Sequence, residues 1–302
     1  MNYRIIAYIV GWVLNLQAIF MALPSLTAVI YNEEDISAFL ITMVICLAMG
    51  LPLTRKKPKN KVFHIKDGCV AVALSWFVLS LTGAIPFVLS GSIPHPIDAI
   101  FETVSGFTTT GSSILTDVES LSKSVLIWRS FTHWIGGMGV LVFLLSLLPL
   151  AGGYHMNLMR AESPGPSVSK LVPKVQSTAK ILYSIYLGMT VIQILLLLLG
   201  GIPVFDSLCI TFGTAGTGRF GIRNDSMGGY SLYCQIVTTI FMILFGVNFS
   251  AYYLILTKKF KSAFQIEEIR YYFGIIIATV LLIAINSRHM FSGFGQAIQQ
   301  SA

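Results

Sequence analysis

Seven long apolar segments, separated by polar loops, dominate this sequence and limit the folds available to it. A helix that spans a bilayer needs about 20 apolar residues, and each of these segments approaches or exceeds that length. Lipid offers the backbone no hydrogen-bond partners, so each spanning segment must satisfy its own backbone as a helix. The sequence therefore predicts an all-α polytopic membrane protein. The segments cover about residues 5–30, 36–53, 68–90, 124–150, 178–200, 230–257 and 270–286.

Composition and charge support a membrane protein and give it an orientation. Only 11% of the 302 residues are charged, whereas a soluble domain has about 25%. If the segments alternate across the bilayer, most of the 20 Lys and Arg residues fall on one side and most of the 13 acidic residues on the other. By the positive-inside rule, the N-terminus is then cytoplasmic. We therefore interpret the net charge of +7 as basic loops that orient the protein and contact the lipid bilayer. We expect no nucleic-acid partner.

Two short stretches recur between the apolar segments, at residues 98–113 and 206–218. Each reads as a helix too short to span, followed by a turn rich in Thr and Gly. We interpret both as re-entrant pore loops, in which extended backbone presents carbonyl oxygens that replace the water shell of a cation. Aligning Thr110 with Thr217 relates the two loops by an offset of 107 residues.

The two loops occupy the same place in a repeated order of rising helix, proline, acidic cap, short helix, Thr-Gly turn and descending helix. A third short helix begins near the end of the chain. The side chain of each capping residue is expected to accept hydrogen bonds from the free N–H groups of its helix. The predicted pore-helix caps are Asp98, Asp206 and Ser292.

The descending segment 124–150 carries two polar side chains and a cluster of glycines. Arg129 either takes part in ion passage or pairs with a pore-loop acid such as Glu102, and the sequence leaves both open. His133 is expected to be a packed polar side chain and not a proton relay. The glycines should allow close approach of a neighbouring helix; they are Gly136, Gly137 and Gly139.

Nothing in the sequence indicates an enzyme. The Gly-rich stretch 213–218 superficially resembles a phosphate-binding loop, but it follows an apolar membrane segment and not a strand of a βαβ unit. Neither the H-E-x-x-H zinc motif nor the G-x-S-x-G nucleophile motif occurs, and no metal-binding cysteine spacing is present. We therefore expect no catalytic residues and no cofactor, with the transported ion as the only metal.

Motifs at residues 107–111, 134–139 and 160–166 resemble those of the Trk/Ktr/HKT superfamily of potassium transporters, and the match extends to 213–218 and 224–228. The chain is most similar to the TrkH/TrkG branch, because a helical hairpin precedes the first unit. This resemblance implies four equivalent units around one K⁺-selective pore, in a bacterial cytoplasmic membrane, with or without symport of H⁺ or Na⁺. It also implies a homodimer and a cytosolic nucleotide-binding regulatory subunit of the TrkA type.

The resemblance also implies which residues form the filter. The first loop contributes Thr108, Thr109, Thr110 and Gly111, and the second contributes Ala215, Gly216, Thr217 and Gly218. Direct contact with K⁺ is assigned to Thr109, Thr110, Gly216 and Thr217. Arg219 departs from the family pattern, since related sequences carry a small residue there. Arg129 and Arg219 are thus two candidate charges at the pore mouth, and the charge of Arg219 would repel cations unless Asp225 or a neighbour pairs with it.

The predicted organisation is a two-helix hairpin at 1–60, a first M1-P-M2 repeat (helix, pore loop, helix) at 61–150, a second at 151–257 and the start of a third at 258–302. Because the third repeat is incomplete, we expect a fragment of a potassium uptake protein that does not conduct alone. The alternative is a truncated, non-conducting subunit that assembles with full-length chains. A membrane anchor or receptor is least favoured, because it gives no reason for carbonyl-presenting loops.

Overall fold

The computed structural model describes residues 1–58, 64–139, 175–218, 220–287 and 301. Within these residues the ordered elements are helices and no strand occurs, which confirms the all-α prediction. Three sequence predictions fall outside them: the motif at 160–166, Arg219 and the third pore helix with its cap Ser292. In chain order, the helices are α1 (Tyr3–Phe20), α2 (Ala22–Tyr31), α3 (Ile36–Thr54), α4 (Ile65–Leu89), α5 (Pro96–Phe107), α6 (Lys123–Met138), α7 (Val175–Leu199), α8 (Val204–Ala215), α9 (Leu232–Gly246), α10 (Phe249–Leu256), α11 (Phe260–Phe264) and α12 (Glu267–Ser287).

Five stretches are long and apolar enough to cross a membrane, with α1 and α2 together counted as one. They correspond to five of the seven predicted segments. For segment 124–150, the described residues contain only α6. The prediction of one continuous helix at 230–257 is wrong, because α9 ends at Gly246 and α10 begins at Phe249. The reason is a local cap: the side chain of Asn248 accepts a hydrogen bond from the backbone N–H of Ser250, at 2.9 Å, and so starts a new helix.

The contacts between residues divide the chain into two compact units, Met1–Phe245 and Gly246–Ala302. The second unit contains a small apolar core of Val247, Ala251 and Ile269. The first unit contains both predicted pore loops and is the part that bears on function. The repeat boundaries predicted from the sequence stay a prediction.

In the first unit, α1 packs closely against α3 and α4. A Cβ atom on Gly11 would lie 2.6 Å from the Cβ of Leu53, so a larger residue at position 11 would push α1 and α3 apart. Gln17 of α1 is fully buried and links α1 to α4. Its amide nitrogen donates to the carbonyl oxygen of Leu79 at 3.2 Å, and its amide oxygen accepts from the hydroxyl of Thr82 at 2.6 Å. Both polar ends of a buried side chain are thereby satisfied.

The turn between α2 and α3 caps helix α6. The Glu33 carboxylate accepts hydrogen bonds from the backbone N–H groups of Lys123 and Ser124, at 2.6 and 2.9 Å. Asp35 accepts a further bond from the hydroxyl of Ser122. The first N–H groups of a helix lack partners within the helix, and its N-terminus attracts negative charge. The N-terminal hairpin thus fixes the start of the helix that lies behind both pore loops.

Candidate functional site

The candidate site is built on two matching short helices, α5 and α8, of 12 residues each. Both end in the same turn: the N–H of Thr109 donates to the carbonyl of Gly106 at 3.0 Å, and that of Thr217 donates to the carbonyl of Thr214 at 2.8 Å. Thr109 and Thr217 also share a φ of 55°, in the left-handed region that non-glycine residues rarely adopt. The two loops therefore have the same backbone path.

This shared backbone path corrects the alignment made from the sequence. α5 begins at Pro96 and α8 at Val204, so the offset is 204 − 96 = 108 residues and not 107. Thr109 then corresponds to Thr217, and Gly111 corresponds to position 219. The sequence alignment was shifted by one residue because it matched the Thr-Gly letters, whereas the register is set by where the helix and its last hydrogen bonds end.

The predicted caps need a second correction. The N-cap residues are His95 for α5 and Pro203 for α8, and neither makes a side-chain capping bond. Asp98 and Asp206 instead lie in the first turns, where their negative charge still faces the positive end of the helix dipole. In α5 the proline at the first helical position needs no N–H partner, so the helix begins before the aspartate. Asp206 accepts a hydrogen bond from the hydroxyl of Tyr230 at 3.0 Å.

The two loops meet backbone to backbone at Gly111 and Gly218. Gly111 has a φ of 78°, and a Cβ atom added to it would overlap the carbonyl oxygen of Gly218. Among the other predicted filter residues, Ala215 and Gly216 are buried. Thr109 and Gly111 are half-buried, and the exposed ones are Thr108, Thr110 and Thr217. The structure thus brings the two predicted filter turns into direct contact and leaves part of each open.

Helix α6 lies directly behind both turns, and its glycines are what allow it to do so. A Cβ atom on Gly136 would overlap the carbonyl oxygen of Phe107 in the first loop. A Cβ atom on Gly137 would lie 2.8 Å from the carbonyl oxygen of Ala215 in the second. The predicted glycines thus permit close approach to the pore-loop backbone. The third, Gly139, has a φ of 75° and follows the last residue of α6.

Arg129 and Glu102 form a buried ion pair. The guanidinium Nε lies 2.6 Å from the carboxylate oxygen Oε1, and the side chains are 3% and 0% exposed. Of the two roles left open for Arg129, the structure contains the pairing with Glu102. The carboxylate also accepts from Ser113 and Ile114, and the guanidinium also donates to the carbonyl oxygen of Gly221 at 2.7 Å.

His133 is fully buried behind the second loop. Its ring lies 4.0 Å, centroid to centroid, from that of Phe220, and a Cβ atom on Gly218 would overlap it. Neither ring nitrogen has a hydrogen-bond partner within the described part of the chain. The side chain therefore packs against the backbone of the second loop, as expected of a polar side chain buried by packing.

Asn224 links the polar segments that follow the two loops, a role that sequence analysis missed. Its side-chain oxygen accepts from the N–H of Val118 at 2.9 Å, and its amide donates to the carboxylate of Asp117 at 2.8 Å. Its backbone N–H donates to Glu119 at 3.0 Å. The hydrogen bond from Asn224 lowers the pKa of Asp117 below its usual value. The available signal was that Asn224 opens one of the family-like motifs.

Known proteins with similar sequences are cation and potassium transport proteins. The TrkH family model, described as a cation transport protein, matches residues 35–287. The Trk system potassium uptake protein TrkH of Salmonella typhimurium is 35% identical over 293 residues, which are 94% of this chain and 60% of that protein. TrkG of Escherichia coli K12, also named a Trk system potassium uptake protein, is 30% identical over 293 residues, or 95% of this chain and 60% of that protein.

A solved structure is similar over the whole chain. The crystal structure of the potassium transporter TrkH from Vibrio parahaemolyticus superposes with a TM-score of 0.85 at 26% sequence identity, and it covers 100% of this chain and 63% of that one. The chain thus spans about 60% of the length of the curated relatives given above.

Proposed function

Because the chain belongs to the TrkH family of cation transport proteins, we propose that it forms part of a pathway for potassium uptake across a bacterial cytoplasmic membrane. The observation that carries this proposal is the meeting of two matched pore-loop turns at Gly111 and Gly218. Relatives at 30 to 35% identity are named potassium uptake proteins, which supports the choice of ion.

The physical basis of the proposal is a filter of backbone carbonyls. Helices α5 and α8 both end where their loops begin, so the negative ends of two helix dipoles adjoin the same point. A monovalent cation that loses its water shell there can exchange water oxygens for carbonyl oxygens. The residues proposed to contact K⁺ remain Thr109, Thr110, Gly216 and Thr217, and the corrected register adds Gly218 as the counterpart of Thr110.

The assembly is proposed from the family resemblance. We propose four equivalent units around one pore, a homodimer, and a cytosolic nucleotide-binding partner of the TrkA type, with the N-terminus in the cytoplasm. Transport uses no bound cofactor and no catalytic residue. Symport with H⁺ or Na⁺ and plain uptake of K⁺ are both compatible with a carbonyl filter.

Uptake of rubidium, which substitutes for potassium, tests the proposal. The protein in its full natural length is expressed in bacteria that lack their own potassium uptake systems, and its presence in the membrane is checked by immunoblot. We expect rubidium uptake well above that of the empty vector and weak competition by sodium. Membrane-inserted protein that gives no uptake, or equal passage of sodium, would overturn the proposal. Uptake that appears only when a longer homologue is co-expressed would favour the alternative of a non-conducting subunit.

A further inference from the structure

We propose that the Glu102–Arg129 ion pair is a positioning pair that holds the two filter loops at a fixed separation and thereby sets cation selectivity. The inference rests on the proposed function, because it assigns a structural cause to the selectivity of that same filter. Neither residue is placed in contact with the ion. Each residue acts through the backbone segment that directly follows one of the two filter turns.

On the side of the first loop, the pair is anchored by Glu102 of α5. The carboxylate accepts a hydrogen bond from the hydroxyl of Ser113 at 2.9 Å and another from the N–H of Ile114 at 3.1 Å. These two residues directly follow the turn that ends at Gly111. Since hydrogen bonds to a charged acceptor are stronger than neutral ones, the carboxylate fixes where the chain leaves the first filter turn.

On the side of the second loop, the anchor is Arg129 of α6. Its Nη1 donates to the carbonyl oxygen of Gly221 at 2.7 Å, and its guanidinium carbon lies 3.8 Å from the ring centroid of Phe220. Phe220 and Gly221 closely follow the turn at Gly218. The planar guanidinium thus makes an ion pair, a backbone hydrogen bond and a cation–π contact at once.

The arrangement makes the separation of the loops depend on the pair. The carboxylate and the guanidinium bind each other, and each is also hydrogen-bonded to the segment that follows one filter turn: Glu102 to Ser113 and Ile114, and Arg129 to Gly221. In a buried site of low dielectric, an ion pair that is also hydrogen-bonded to its surroundings resists displacement, and removal of either partner leaves an uncompensated charge. A shift of one loop would therefore be transmitted to the other.

The decisive variant is Arg129→Lys, which keeps a positive charge opposite Glu102, so that the buried carboxylate is not left uncompensated. The lysine ammonium is a compact point charge without the planar fork, and it cannot reproduce the simultaneous contacts to Gly221 and Phe220. Ser113→Ala removes one contact on the other side. The matched control is Arg223→Lys, which alters an exposed ion pair with Asp225 in the same outer segment, at 3.1 Å.

Two measurements are made on the full-length protein: the ratio of rubidium to sodium uptake, and hydrogen exchange of peptides covering 108–114 and 217–222. We expect Arg129→Lys to lower the uptake ratio by about tenfold, the order expected for loss of one hydrogen bond to a charged group. Exchange should become faster in both peptides. Ser113→Ala should act in the same direction, and its effect should shrink in the Arg129→Lys background because the two residues share one network.

The outcomes separate this inference from the proposed function. Wild-type protein without rubidium uptake overturns the proposed function, and the exchange data then decide the positioning role alone. If Arg129→Lys reduces both ions equally and leaves the ratio unchanged, the pair stabilises the fold without setting selectivity, and the inference is wrong. It is also wrong if exchange rises in only one of the two peptides, or if Arg223→Lys changes the ratio as much as Arg129→Lys.

Discussion

Single glycines determine how closely the two proposed filter turns approach each other, and Gly111 shows this most clearly. We predict that Gly111→Ala abolishes rubidium uptake, because its Cβ would overlap the carbonyl oxygen of Gly218. A left-handed φ costs an ordinary residue about 1–2 kcal/mol in addition. Gly91→Ala is the matched control, since Gly91 also has a positive φ, of 73°, but has nothing within 4 Å of the added atom. Near-normal uptake by Gly111→Ala would contradict the close meeting of the loops.

Asp117 gives a second prediction at the residue scale, one that concerns pH. The hydrogen bond from Asn224 lowers its pKa in the folded protein. The stabilisation from this carboxylate is therefore complete above its unfolded pKa of about 3.9 and is lost as pH falls through the lower folded value. We expect cleavage within residues 115–121 by pepsin to increase below about pH 4.

The control for this pH effect is Asp117→Asn, which removes the titrating group but keeps an oxygen that can accept from Asn224. Cleavage of this variant should vary less with pH over the same interval than that of the wild type. Equal pH dependence in both proteins would show that Asp117 is not the group responsible.

Helix α6 shapes the candidate site, because its glycines lie against the backbone of both loops. Its start depends on Glu33, a residue of the distant N-terminal hairpin. We predict that Glu33→Ala lowers the free energy of unfolding by about 1–2 kcal/mol, the effect of losing a helix cap. The measurement is thermal unfolding of the purified protein in detergent.

Glu34→Ala is the control, since Glu34 is exposed and adjacent in sequence. Its effect should stay within about 0.5 kcal/mol, as is usual for a surface substitution. If both alanine substitutions lower the free energy of unfolding by the same amount, the hydrogen bonds that Glu33 accepts from the start of α6 do not specifically stabilise that helix.

For the whole molecule, the unequal distribution of charges predicts an orientation in the membrane. A fluorescent reporter that folds only in the cytoplasm should be active when fused after residue 58. A phosphatase that is active only outside the cytoplasm should work when fused after residue 92, in the turn that follows α4. The expected pattern follows from retention of basic loops inside. The reverse pattern at both positions would show the opposite orientation.

The amino-acid sequence alone was sufficient to predict the class of fold and the presence of two matched loops. Segment length and hydropathy are properties of neighbouring residues. In lipid, a continuous apolar segment forms a helix, because a helix satisfies the backbone hydrogen bonds within the segment. The two Thr- and Gly-rich turns are also local, so their recurrence was visible without a structure. The break between α9 and α10 was missed, because a single Asn248 cap interrupts a stretch whose average hydropathy is that of a spanning helix.

The register of the two loops and the contacts that hold them could be found only in the three-dimensional structure. The offset of 108 residues between the two loops follows from the positions at which helices α5 and α8 end. The Thr-Gly pairs in the sequence do not specify those positions. The bonds from Glu33 to α6, between Glu102 and Arg129, and from Asn224 to Asp117 join residues 27 to 107 positions apart. A sequence supplies the charges and donors, but their pairing depends on which helices fold next to each other.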